Sequence, residues 1–134
     1  MLPSGLPDEL DPGEDLARFL TQSGHFNAQF VKPNAFIPTG KPPETSVSRH
    51  GEEPREGLWD LGKIAAGQRK LYGAAIFKVR DAIDIGLSPE ADEPPDRHAA
   101  LRGWPTNEED PRLTKAQQKE RAIVLASAST KILM

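Results

Sequence analysis

The chain has 134 residues with 17 basic and 20 acidic side chains, a formal net charge of −3 at pH 7. That length carries one modest hydrophobic core, and a charge so near balance gives no global field that would draw the chain to nucleic acid or anionic lipid. The lack of cysteine excludes disulfides, thiolate metal sites and thiol nucleophiles, and it fits a reducing compartment, so a cytoplasmic location is expected.

No apolar run approaches the roughly 20 residues of a membrane helix. The opening MLPSGLPDELDPGED is acidic and proline-rich where a signal peptide is basic and then apolar, so neither export nor membrane insertion is expected. Residues 1–10 read as a flexible lead-in. DPGEDLARFLTQSG then spells a short helix, with Asp11 as N-cap, Pro12 at the first position, Glu14 three after the cap, Leu16, Phe19 and Leu20 as an apolar stripe, and Gly24 as the stop. In the next stretch Phe26, Phe30, Val31, Phe36 and Ile37 lie among prolines 33, 38, 42 and 43, which forbid a long helix. It reads as an extended arm whose aromatic residues dock on the chain's own core or on a partner.

TSVSRH, from Thr45 to His50, alternates like a strand. A helix follows in EGLWDLGKIAAGQRK, with Leu58, Leu61 and Ala65 at helical spacing, Glu52, Glu53 and Glu56 before it, and Arg69 and Lys70 at its end. YGAAIF reads as a buried strand. KVRDAIDIGL reads as a helix closed by Gly86, with Leu87 supplying the apolar contact of a left-handed cap. A proline-rich acidic loop, SPEADEPPD, leads to DRHAALRGWP, where alternation puts His98, Ala100, Arg102 and Trp104 on one side and Ala99, Leu101 and Gly103 on the other. Thr114 and Gln117 mark a capping box for the last helix, whose Ala122, Leu125, Ala126 and Ser129 form a small-residue face. The expectation is α+β: a flexible segment 1–10, then a single domain 11–134 in which 11–44 are helix and docking arm and 45–134 the core. The domain is a small sheet of three or four short strands packed by about four helices.

His25, His50 and His98 are far apart, with no i, i+4 or H-x-E spacing, and the acidic loop lacks the central glycine of a calcium loop, so neither metal nor cofactor is expected. There is no G-x-S-x-G, P-loop or dinucleotide fingerprint. Two strands, SVSRH and RHAALRGW, can nevertheless bring Arg49 or His50 near His98 and Arg102. Imidazole with guanidinium is the equipment of metal-independent phosphodiester cleavage. The plainer alternative pairs Arg102 with an acid of EADEPPD and lets it stack on Trp104. Lys115, Lys119, Arg121 and Lys131 give only weak support for a nucleic-acid surface.

The linked pieces SVSR, VRDAIDIGL and RHAALRGWP, within Val31 to Leu133, resemble a set of small bacterial proteins with an SVxR … VRxxxxxGL … HAALRGWP pattern, of the kind encoded near mobile-element or defence genes. The resemblance names no chemistry; a shared role would fall on Arg49, His98, Gly103 and Trp104. The expected function is therefore a non-catalytic accessory or adaptor protein for a larger bacterial protein partner encoded nearby, in an anti-phage or toxin-neutralising setting. Phe26, Phe30, Phe36, Ile37 and Trp104 are its candidate binding residues. The competing reading is a small metal-independent ribonuclease or phosphodiesterase using His98 with Arg49, His50 or Arg102.

Overall fold

The computed structural model describes residues 2–50 and 55–134. Its strands are β1 (Asp15–Leu20), β2 (Thr45–Arg49), β3 (Gly73–Lys78), β4 (Ser88–Ala91), β5 (His98–Arg102) and β6 (Thr130–Leu133). All pair antiparallel in one sheet ordered β4-β5-β2-β1-β3-β6. Among the described residues the helices are α1 (Arg55–Ala66), the five-residue α2 (Val79–Ile83) and α3 (Pro111–Ala128). The expected sheet of three or four strands under about four helices is thus corrected to six strands and three helices.

The additional strands have physical causes. At β1 the residues read as a helix cap form a turn instead: Asp11 Oδ1 accepts from the Gly13 amide at 2.8 Å, and the Glu14 amide donates to the Asp11 carbonyl at 2.9 Å. β1 is then buried on both faces, Leu16 and Leu20 in one core and Ala17 and Phe19 in another. A strand buried on both sides shows no polar alternation, and its apolar spacing imitates a helix. β4 arises inside the proline-rich loop because Pro89, which has no amide hydrogen, is tolerated in an edge strand. β6 follows α3 directly and pairs with β3, where Gly73 permits the approach: a Cβ there would collide with the Ile132 carbonyl oxygen.

One face of the sheet carries the larger core, including Leu16, Leu20, Val47, Phe77, Ala99 and Leu101, and is covered by α2, α3 and residues 26–37. α3 starts earlier than its expected capping box: Asp110 is the N-cap, accepting from the Leu113 amide at 3.1 Å, with Pro111 at the first position. Thr114 instead exchanges hydrogen bonds with Asn107. The expected small face holds, with Ala122, Leu125 and Ala126 buried. α2 ends as the sequence indicates. Gly86 has φ +86°, its amide donates to Ile83 and that of Leu87 to Ala82, the paired bonds of a Schellman cap.

The opposite face is covered only in part. α1 packs over β1 and β3, joining Leu58 and Ala66 to Phe19, Leu71 and Ala74. Gly62 sets that approach, since a Cβ there would lie 2.8 Å from both Leu71 and Phe19. The arm lies on its own chain: Val31, Ala35 and Phe36 are buried, and Phe36 meets Phe77 edge-on at 5.4 Å. The N-terminal residues are tied down as well, through Ser4 Oγ donating to Glu93 and the Pro7 carbonyl accepting from Arg49. Glu52 and Glu53, expected ahead of α1, lie outside the described residues.

Candidate anion-binding cleft

Cross-strand register decides which candidate residues meet. Ser48 pairs with His98 and Ala17 with Ser48, so these share the α1 side of the sheet, as do Ala100 and Arg102 further along β5. Arg49 points to the other side. It is buried, its Nε and Nη2 grip both oxygens of Glu14 at 2.6 and 2.9 Å, and its Nη1 donates to Pro7 O at 2.7 Å. His50 is buried at the end of β2 with no partner for Nε2, and burial is the main cause holding it below the ordinary imidazole value. Neither joins His98 and Arg102.

His98 and Arg102 are themselves about 13 Å apart along one extended strand. Both are anchored by the acidic segment. His98 Nδ1 donates to the Asp92 carbonyl at 2.9 Å, with an Asp92 carboxylate oxygen at 3.3 Å. Arg102 Nε bonds Glu44 at 3.0 Å, with Glu90 and Asp92 oxygens at 3.7 and 3.5 Å. The Glu44 hydrogen bond raises the guanidinium further above its normal range. Three carboxylates thus neutralise Arg102 and leave it little capacity for a phosphate. Trp104 does not stack on it: Gly103, at φ +80°, breaks the alternation and turns Trp104 into the larger core, where Nε1 donates to Leu101 O at 2.9 Å.

A different set of groups converges where β1 and β2 part. The two strands pair only at Leu16–Arg49 and Ala17–Ser48, while β1 continues along β3 to Leu20. Half-buried Arg18 bridges the divergence, Nε donating to Ala35 O at 2.7 Å and Nη1 to Ser46 O at 2.9 Å. A cleft of about 780 Å³ opens there, bounded by β1, β2, the C-terminal half of α1 and the arm. That volume falls among those of small-ligand sites. Phe19, Ile37, Leu61 and Ile64 form apolar walls; Asn34, Thr39, Ser46 and Ser48 supply polar groups; and Arg18, Arg69, His25 and His98 bring nitrogen bases.

The electrostatics of the cleft follow from its cations. Arg69 extends from beyond the end of α1, with Nε and Nη2 donating to the Ala66 and Ala65 carbonyls at 3.1 and 3.0 Å, which satisfies terminal acceptors of the helix. Among the described residues neither Arg18 nor Arg69 has a carboxylate partner. Burial, assisted by the Arg69 charge, lowers the Arg18 guanidinium to about 10, still protonated at neutral pH. Burial and then the charges of Arg18 and Arg69 push His25 below its ordinary value, and its buried Nδ1 has no hydrogen-bond partner.

Arg18, Arg69 and His25 are the site residues that sequence reasoning missed. The available signal was Arg18, a lone charge inside the apolar run LARFL. Of the candidate binding residues, Phe36 and Trp104 belong to the core, Phe26 is half-buried against Tyr72, Ile37 lines the cleft, and Phe30 is exposed. Among the described residues no three His, Asp or Glu side chains gather as a metal site requires. No helix among them is long and apolar enough to cross a membrane. Comparison with protein-family models, curated proteins and solved structures finds no match to this chain.

Proposed function

We propose that this chain is a non-catalytic accessory protein that binds a larger protein partner, and that the cleft between β1, β2 and α1 receives an anionic element of that partner. The observation that carries the reading is the pair of guanidinium groups, Arg18 and Arg69, facing one open cleft without an ion-pair partner among the described residues, although Glu44, bonded to Arg102, and Asp96 also line it. A charge brought out of water is ordinarily paired. Here the partners of Arg18 are carbonyl oxygens, which orient it and leave its charge available. The anchoring of Arg102 by acids and the burial of Arg49 with Glu14 commit both guanidinium groups elsewhere and weigh against a catalytic partnership with His98.

One observation favours phosphodiester cleavage as a second reading. His98 lines the same cleft, with Nδ1 held by Asp92 O, which leaves Nε2 as the ring nitrogen for a general-base role. One experiment separates the two. The tagged protein is co-expressed with its flanking genes and purified as wild type, Arg69→Glu and His98→Ala, each fraction also being assayed on RNA. A stoichiometric partner kept by His98→Ala and lost by Arg69→Glu is the expected result. A partner retained by Arg69→Glu, or RNA cleavage abolished in His98→Ala with no partner present, overturns the proposal.

A further inference from the structure

We infer that the anionic group received by the cleft is a phosphate monoester, gripped by Arg18 from the floor and Arg69 from the rim. This rests on the reading of the cleft as the binding surface and adds the chemistry of what it binds. The first argument is charge. Arg18 and Arg69 are two cations without an ion-pair partner among the described residues; of the two carboxylates in the same lining, Glu44 is already committed to Arg102 and Asp96 pairs with neither arginine. A single carboxylate brings one negative charge. A phosphate monoester brings about −1.5 to −2 at neutral pH and three acceptor oxygens, enough for two separate guanidinium forks.

Geometry supplies the second argument. Nε and Nη1 of Arg18 are held by Ala35 O and Ser46 O, which fixes the guanidinium plane and leaves Nη2 without a partner among the described residues. A donor locked before the ligand arrives loses little side-chain freedom on binding. Arg69, exposed and held only to the end of α1, is free to close from outside.

His25 is the third, independent observation. It lines the cleft at 7% exposure, and its Nδ1 is a buried polar atom with no hydrogen-bond partner. Buried polar atoms are nearly always paired, so this orphan is a hydrogen-bonding capacity that the fold leaves unused beside Arg18 and Arg69 and that a small rotation of the ring would offer to a ligand atom. Burial, and after it the charges of Arg18 and Arg69, shift His25 toward the neutral imidazole, a form that can donate to a phosphate oxygen or accept from a singly protonated phosphate without adding charge. Ser46 and Asn34 offer further donors, and Phe19 and Leu61 give the group carrying the phosphate an apolar wall.

The test titrates the full-length protein with inorganic phosphate, AMP, a phosphoserine peptide and the same peptide with glutamate in place of phosphoserine. Binding is read by calorimetry and by NMR of the Arg Nε–H and backbone amide signals. The expected result is one-to-one binding of a phosphorylated probe that shifts the Arg18 signal and the amides of residues 45–48. Arg69→Gln weakens it at least ten-fold, and Arg18→Lys, which keeps charge but loses the fork, also weakens it while the fold's amide spectrum persists. Tighter binding of the phosphopeptide than of AMP assigns the phosphate to a protein; the reverse order assigns it to a free nucleotide. Equal binding of the glutamate peptide, with the same Arg69 dependence, overturns the phosphate inference and leaves the cleft as the binding surface. If no anion shifts Arg18 and Arg69→Glu leaves partner capture intact, both readings fall.

Discussion

Replacing Arg49 with methionine separates a structural arginine from a working one. The side chain is 1% exposed and makes two charge-assisted bonds to Glu14, itself 16% exposed, plus one to the Pro7 carbonyl. Removing one member of a buried pair typically costs about 3–5 kcal/mol, because the remaining charge is stranded. Water reaches part of Glu14, so the low end, about 3 kcal/mol, is expected for Arg49→Met. For a chain of this length that is a fall in Tm of about 10 °C. Methionine fills most of the volume, so the loss reports charge and not a cavity. The double variant Arg49→Met, Glu14→Met removes both charges and recovers at least half of the loss in urea unfolding. A loss below about 1 kcal/mol for the single variant, or no recovery in the double, refutes the account of Arg49 as an internal tether.

Three other outcomes follow from equally local features. Gly73→Ala drives a methyl into the Ile132 carbonyl oxygen, so hydrogen exchange at the β6 amides accelerates while β1 and β5 amides stay protected; uniform protection contradicts this. Asp110→Ala removes the cap on the Leu113 amide and costs about 1 kcal/mol by chemical unfolding, with Asp110→Asn close to neutral. His25 and His50 are both held below their ordinary values, so the unfolded chain protonates at about pH 6.5 before the fold does. Their contribution is full above that pH and is lost as pH falls below it. Melting temperature therefore declines from pH 7 to 5.5, and a His25→Gln, His50→Gln variant shows a flatter profile; equal slopes for the two proteins refute the assignment.

Where the sequence carried a period or a cap, the fold was legible. β2 and β5 alternate, α1 and α3 have apolar faces, and Gly86 stands where a left-handed cap needs it. β1 was not, because Asp11, Pro12 and Glu14 suit a helix start as well as a turn, and burial on both faces erased the alternation that distinguishes strand from helix. β4 and β6, four residues each, are held by their neighbours and not by their own propensity, β4 by β5 and β6 by β3. The reach of the site was harder still. Arg102 and His98 could be placed on one face from the sequence, and Glu90 and Asp92 beside Arg102 belong to the EADEPPD stretch that the sequence offered, but its nearest acid, Glu44, is far off in the chain. Arg18 joins His25 and Arg69 only because β1 and β2 diverge after two residue pairs, a tertiary fact with no sequence mark.

That divergence has a mechanical meaning. Strands β4, β5 and β2 form one plate and β1, β3 and β6 another, and the seam between them is two residue pairs long, whereas β1 and β3 share six. Arg18 is the rivet across the seam, fastened to β2 at Ser46 and to the arm at Ala35. A twist of one plate against the other widens or narrows the gap beside that rivet. Whatever grips Arg18 therefore pulls on both halves of the molecule at once.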